Sequence, residues 1–243
     1  MTLVDVEEAR LAEDASPQEI IGWVLDRFAD RRLVLTTAFG LEGCALVDMV
    51  ARRGREVRVV WVDTMFLFPE TYRLRERLAA RYPHLRFEQR QAGLTPEEQE
   101  ARHGPELWRR DPDACCRIRK VDPLREVLAE AEVWLTGLTR SQSATRAHIR
   151  TVEWDAQYEV LKVSPLAHWD RPRVWEYVRA NGVPYNELHE RGYPTLGCTH
   201  CTAPVAGATA ATYTRAGRWA GTDKTECGLH PVTREFVQLR REA

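Results

Sequence analysis

Short apolar runs alternate with amphipathic stretches along most of this chain, and that rhythm admits few folds. Leu33-Val34-Leu35, Val57 to Val62 and Val133-Trp134-Leu135 read as buried strands, with Leu85 to Phe87 and Tyr158 to Val163 as further candidates. Helices fall between them. Ser16-Pro17-Gln18-Glu19 is a capping box with proline at the first helical position, followed by Ile20, Ile21, Val24, Leu25 and Phe28 at helical spacing. Leu41 to Arg53 reads as a helix ended by Gly54, and Pro69 opens another through Arg81. Asp122-Pro123 starts one through Ala131, with helical structure allowed as early as Cys115-Cys116, and Asp170 caps a last one from Arg171 to about Asn181. The alternation predicts an α/β fold, a mostly parallel sheet flanked by helices. Beyond Gly192 the pattern fades, and Gly197, Gly207, Gly217, Gly221 and Gly228 mark loop-rich sequence. The expectation is one α/β domain over residues 1–206 and a mobile C-terminal tail over residues 207–243.

In an open sheet of this kind, ligands bind beyond the carboxyl ends of the strands. Polar or glycine-containing sequence follows three of them: Thr36 to Gly43, Asp63-Thr64, and Gly137 to Ser143. The first offers an anion backbone N–H groups, a helix N-terminus after Gly40, and the hydroxyls of Thr36 and Thr37. It has neither the Walker spacing nor the dinucleotide fingerprint, so by itself it is equally well an ordinary strand-to-helix turn. Arg140, Arg146, Arg215 and Arg218 lie in polar loops and offer fixed positive charge to a sulfate or phosphate.

The cysteines fall into two close pairs and two singletons. Cys115-Cys116 and Cys198-Thr199-His200-Cys201 supply four thiolates, a set that suits zinc and a [4Fe–4S] cluster about equally. A vicinal disulfide in the first pair or a redox dithiol in the second are the competing uses. Cys44 lies in a predicted helix and reads as a small buried hydrophobe. Cys227 stands apart, flanked by Lys224, Gly228 and His230, a cationic setting that favours the thiolate. Six cysteines in 243 residues do not make a disulfide scaffold, which predicts a reducing cytoplasm. A formal net charge of −1 argues against a general nucleic-acid or membrane-surface binder. No signal peptide is evident, and no apolar run reaches the ~18–20 residues of a membrane span.

Taken together, these segments resemble the assimilatory sulfonucleotide reductases, which act on adenylyl sulfate (APS) or phosphoadenylyl sulfate (PAPS). The resemblance rests on Thr37-Ala38-Phe39-Gly40, Asp63-Thr64 with Phe68-Pro69-Glu70-Thr71-Tyr72, Cys115-Cys116-Arg117-Ile118-Arg119-Lys120, and Gln142-Ser143 with Arg146. It continues through Leu188-His189-Glu190-Arg191-Gly192-Tyr193, Gly197-Cys198, Cys201-Thr202, Gly217-Arg218-Trp219 and Glu226-Cys227-Gly228-Leu229-His230.

The resemblance implies a Rossmann-like fold of the adenine-nucleotide α-hydrolase type. It implies a [4Fe–4S] cluster on Cys115, Cys116, Cys198 and Cys201, and Cys227 as the nucleophile that forms an S-sulfocysteine and expels AMP. Substrate contacts would come from Thr36, Thr37, Gly40, Asp63, Lys120, Arg140, Arg215 and Arg218. Thioredoxin or a similar dithiol protein, not fused to this chain, would release sulfite. The activity would belong to sulfate assimilation and cysteine biosynthesis. The sequence leaves open whether the chain forms a homo-oligomer.

Two departures bear on the anion contacts: Thr139 stands where relatives often carry a first arginine, and Ala203 where they often carry another. Within the family the cluster cysteines go mainly with APS, which makes APS the expected substrate and PAPS the alternative, alone or in addition. An ATP-dependent tRNA thiolation enzyme would want a Ser-Gly-Gly-x-Asp-Ser loop that is missing here. A nucleotide-binding iron–sulfur redox sensor would have no use for Cys227.

Overall fold

A computed structural model describes residues 13–209 and 211–230 of the chain. The Ser16 capping box closes as expected. Ser16 Oγ accepts the Glu19 N–H at 3.3 Å, the Ser16 N–H donates to Glu19 Oε2 at 2.8 Å, and helix α1 (Pro17–Arg27) follows. Then come β1 (Leu33–Thr36), α2 (Leu41–Ala51), β2 (Arg58–Asp63), α3 (Pro69–Arg81) and β3 (Arg86–Gln91). The short helices α4 (Pro96–His103), α5 (Leu107–Arg110) and α6 (Pro112–Cys116) lead through a π-helical turn at Arg117–Val121 into α7 (Asp122–Ala129). The last elements are β4 (Val133–Thr136), the hairpin β5 (Val152–Asp155) and β6 (Val160–Val163), and α8 (Arg171–Ala180).

The sheet order is β3-β2-β1-β4-β6-β5, parallel throughout except for β5 against β6. The period-two geometry of a strand divides the core between two faces. Leu35, Val59, Leu135 and Val163 point to the side covered by α1, α2 and α8, whereas Val34, Val60, Trp134 and Val160 point to α7. These side chains are at most 1% exposed, and burying each contributes about 1.5–3 kcal/mol. The chain winds one way from β1 to β2 and β3, then returns to the other side of β1 at β4. The reversal opens a crevice beyond the carboxyl ends of β1 and β4.

One expected strand is longer than foreseen, and two elements were not foreseen. The strand expected at Leu85 to Phe87 runs on to Gln91, because an edge strand in contact with one neighbour carries polar residues such as Glu88 and Arg90 that give no apolar signal. Strand β5 was not expected at all. Its sequence, Val-Glu-Trp-Asp, is half charged, and it forms by pairing back on β6 through a short turn. Helix α4 was also missed, although Thr95 and Glu98 form a second capping box with Pro96 at the first helical position, the same signal as at Ser16.

The expected tail, residues 207–243, includes residue 210 and residues 231–243, which lie outside the described part. Its described portion folds back onto the domain. Thr202 and Arg218 form an isolated antiparallel bridge, and Trp219 is buried against Cys116, Cys198 and Cys201.

Candidate active site

The crevice at the reversal of the sheet is a cleft lined by Thr36, Thr37 and Gly40 after β1, by Val60 to Val62 of β2, and by Trp134, Thr136 and Gly137 at the end of β4. Two glycines let its walls meet. A Cβ on Gly43 would collide with Thr37 Oγ1, and one on Gly137 would come within 3.1–3.2 Å of the Glu42–Gly43 backbone. Phe39 turns the chain between β1 and α2 at a left-handed φ of 56°, and its N–H donates to Thr37 Oγ1 at 2.9 Å. Thr36 Oγ1 accepts the indole N–H of Trp134 at 2.7 Å. Both threonines thus already accept a hydrogen bond, which leaves their hydroxyl protons to donate.

One end of the cleft is strongly cationic. Lys120, Arg146, Arg215 and Arg218 converge there with Cys227, from the π-helical turn, from the loop after β4, and from the C-terminal segment. Lys120 is buried. Burial works against its charge, but Cys198 and Cys227 hold its pKa above the ordinary lysine value. Burial would likewise raise the pKa of Cys227. Lys120, a hydrogen bond from the Leu229 backbone, Arg218 and Arg146 outweigh it and favour the thiolate. The sequence pointed instead to Lys224 and His230 as the cationic neighbours. Lys224 pairs with Asp113 and lies over the Trp219 ring. His230 stacks on Trp134 with centroids 5.1 Å apart, and burial together with Lys162, Arg146 and Arg215 holds it neutral.

Two of the expected contacts lie elsewhere. Asp63 is outside the cleft lining. It accepts from the Met65 N–H at 2.8 Å, Tyr72 Oη at 2.7 Å and Gln89 Nε2 at 2.7 Å, and so fixes the left-handed turn at Met65 and the root of α3. Arg140 points away to Glu13 at 2.8 Å, His168 at 3.0 Å and the Ile149 carbonyl at 2.9 Å. An Arg140→Ala variant is therefore expected to keep its AMP affinity within about twofold while losing about 1 kcal/mol of stability, read from the denaturation midpoint. A tenfold loss of AMP affinity at unchanged stability would put Arg140 back in the site.

The cleft is also lined by residues to which the sequence assigned no role. Arg171 pairs with Glu42 at 2.9 Å, both buried. His189 Nδ1 lies 2.7 Å from the Tyr193 carbonyl and so carries the proton, which leaves Nε2 as a buried acceptor without a partner among the described residues. Burial and Arg171 push the pKa of His189 down to about 4, so it stays neutral. Glu42, Arg171 and His189 are far apart in sequence, and only the return of the chain after α8 brings them together.

The paired cysteines lie beside the cationic end. Cys115 and Cys116 end α6, whose N-cap Asp111 accepts the Ala114 N–H at 2.9 Å. Cys198 and Cys201 flank a 3₁₀ turn held to the loop after β2 by the Leu67–Cys198 bridge and by the Thr199 N–H to Phe66 carbonyl bond at 2.8 Å. All four are buried free thiols. Cys116, Cys198, Cys201 and Trp219 pack as one cluster, with Phe66, Trp108 and Cys227 against it. Gln99 approaches Cys115 Sγ at 3.9 Å, and Thr64 Oγ1 lies 3.3 Å from Cys198 Sγ. Burial pushes Cys115 up to about 11 and Cys116 up to about 12, and raises Cys201.

Among the described residues, no three His, Cys, Asp or Glu side chains converge as they would around a single ion. A four-iron cluster makes a different demand, since each thiolate bonds its own iron and the sulfurs stand wider apart. Cys116, Cys198 and Cys201 share one packed cluster and Cys115 lies near Cys198 and Cys201, four soft donors of the kind such a centre takes, with Lys120, Arg119 and Gln99 nearby. Cys44 is fully buried and its thiol is pushed up to about 12, as expected of a hydrophobic filler.

Comparison with known proteins follows the same lines. The phosphoadenosine phosphosulfate reductase domain matches residues 32–204. An adenosine 5′-phosphosulfate reductase of Geobacillus kaustophilus is 45% identical over 212 residues, which cover 87% of this chain and 88% of the relative. Another, of Shouchella clausii, is 44% identical over 216 residues, covering 89% and 88%. Among solved structures, a phosphoadenylyl-sulfate (PAPS) reductase of Candida auris in a phosphate complex aligns with a TM-score of 0.70 at 31% identity, covering 83% of this chain and 98% of that one.

Proposed function

This chain belongs to the phosphoadenosine phosphosulfate reductase family, and we propose that within it the chain reduces adenosine 5′-phosphosulfate to sulfite and AMP. The observation that carries this reading is Cys227, its thiolate favoured, in a nucleotide-sized cleft beside Lys120, Arg146, Arg215 and Arg218. The nucleotide would lie across the carboxyl ends of β1, β2 and β4, with Thr36, Thr37 and Gly40 at the first turn.

The phosphosulfate would face the cations. The Cys227 thiolate attacks the sulfur, the bond from sulfur to the phosphate oxygen breaks, and AMP leaves with the electron pair. Positive charge from Lys120, Arg215 and Arg218 stabilises the phosphate oxygen as it takes up that charge. The product on the enzyme is S-sulfocysteine. A thiolate of thioredoxin, or of a similar dithiol protein, then attacks Sγ of residue 227 and expels sulfite. Its second thiol resolves the mixed disulfide, so the dithiol supplies both electrons.

A [4Fe–4S] centre on Cys115, Cys116, Cys198 and Cys201 would supply charge and rigidity at the Lys120 end of the cleft. The segment carrying Cys227, taken as a tail of the α/β domain over residues 207–243, must swing out to meet the dithiol. The burial of Trp219 and the packing of Cys227 against the paired cysteines support a closed resting position for it. Use of a dithiol reductant and six free thiols suit a reducing cytoplasm. Among the described residues, no helix is long and apolar enough to cross a membrane.

APS is favoured over PAPS by the two relatives' names and by the charges in the cleft. A 3′-phosphate would need cations of its own, yet Lys120, Arg146, Arg215 and Arg218 gather near Cys227 and Arg171 is paired with Glu42. Side-by-side assays on anaerobically purified protein with thioredoxin are expected to give at least tenfold higher kcat/KM for APS. Equal values would make the enzyme dual-specific, and a preference for PAPS would overturn the substrate assignment.

A further inference from the structure

The carboxylate next to the nucleophile is held by four side chains at once. Glu226 Oε2 lies 2.8 Å from Arg146 Nη2 and 3.3 Å from Arg215 Nη2, and Oε1 accepts from Ser143 Oγ at 3.0 Å and Thr145 Oγ1 at 3.1 Å. Arg215 Nε also donates to the Thr225 carbonyl at 3.0 Å. The side chains of Glu226, Arg146 and Arg215 are only 15%, 11% and 17% exposed, so these are not solvated surface pairs. Ser143, Thr145 and Arg146 belong to the loop after β4, far in sequence from the Cys227 segment.

We propose that Glu226 is a positioning residue: its carboxylate clasps the Ser143–Arg146 loop and Arg215, and so holds Cys227 in the cleft. The proposal rests on the reading of Cys227 as the nucleophile and adds what keeps it in place. Glu226 directly precedes Cys227, so fixing its side chain leaves the Cys227 backbone little freedom. The partners are the right ones for a reversible hold. Arg146 uses Nη2 on Glu226 and Nη1 on Gln142 Oε1, while its buried Nε has no partner among the described residues. The guanidinium thus joins the carboxylate to Gln142 at the root of the same loop. Held charge also balances: Lys120, Arg146, Arg215 and Arg218 outnumber Glu226 and the Cys227 thiolate, so the closed cleft keeps a positive excess for its substrate.

The test measures how accessible Cys227 is, not only how fast the enzyme turns over. In nucleotide-free, anaerobically purified protein, alkylation of Cys227 by iodoacetamide is followed by peptide mass mapping across pH. The plateau rate at high pH reports access of the fully formed thiolate, and so is independent of any change in its pKa. Glu226→Ala is expected to raise that plateau rate at least tenfold, and the double variant Ser143→Ala/Thr145→Ala, made on the other side of the clasp, at least threefold. Retained AMP binding shows that each variant is folded. Turnover with APS is expected to fall at least tenfold in kcat for Glu226→Ala, with a smaller change in KM. Unchanged plateau rates in both variants would overturn the clasp while leaving the nucleophile standing. Turnover by Cys227→Ser would instead remove the nucleophile reading, whatever the alkylation rates.

Discussion

Replacing Cys227 by serine is expected to abolish sulfite formation, by more than about 10⁴-fold, as when the nucleophile of a covalent mechanism is removed. Iron content and AMP affinity should stay at the wild-type level, because Cys227 packs against the cysteine cluster without being one of the paired thiols, and the nucleotide wall is built from other elements. Wild-type protein incubated with ³⁵S-labelled APS and no reductant should carry the label on Cys227, and thioredoxin should discharge it as sulfite. The electrostatics give this prediction a second arm. Lys120 is the largest of the influences that lower the Cys227 pKa, so a neutral Lys120→Met should raise the pH midpoint of Cys227 alkylation. The sign follows from charge: taking away the cation costs the thiolate its partner and leaves the neutral thiol unaffected. Appreciable turnover by the serine variant would rule out the covalent step. A midpoint that falls on loss of Lys120 would mean that the lysine does not face the sulfur.

The sequence was most legible where periodicity and local capping decide structure. Ser16 with Glu19, Pro69 and Asp170 all start helices at the expected residues, and Val34-Leu35, Val59-Val60 and Trp134-Leu135 form the centre of the sheet. It was least legible where edge pairing or long-range return decides. Strand β5 is only four residues long and its burial does not follow its apolar alternation, with Trp154 exposed and Asp155 buried, so it exists through its register with β6. The cleft shows the same split. Lys120, Arg215 and Arg218 were singled out by motif and do converge, whereas Asp63 and Arg140 look similar in sequence but serve a turn and an ion-pair network. What separates Arg140 from Arg146 is the direction in which two short 3₁₀ turns point, and no pattern of residue types records that. The stack of His230 on Trp134 and the Glu42–Arg171–His189 wall likewise join positions that only the folded chain brings together.

Replacing Cys198 by serine is expected to remove iron and activity together. The anaerobic wild-type protein should be brown with about four irons per chain, the stoichiometry of a [4Fe–4S] cluster, and the variant should be colourless. The argument starts from burial. With no metal bound, thiols pushed up to about 11 at Cys115 and about 12 at Cys116 stay protonated at neutral pH. Neutral thiols at Cys115 and Cys116 leave Lys120 and Arg119 short of anionic partners, whereas a thiolate-bound cluster answers that charge and releases the thiol protons as it assembles. Reconstitution of the iron-free protein should therefore become more favourable as pH rises, in the direction set by the raised thiol pKa values. Cys198 is the decisive position because its bridge to Leu67 and its contact with Thr64 anchor the second pair to the sheet, and because it lies close to Lys120. Losing it should remove a ligand and loosen the cation that serves Cys227, so turnover should fall even in molecules that keep some iron. On the proposed reading, in which the nucleotide lies across the strand ends, AMP affinity should change by less than about fivefold. Active wild-type protein holding one zinc and no iron, or a serine variant with full iron content, would overturn the cluster assignment and leave the Cys227 chemistry to be tested on its own.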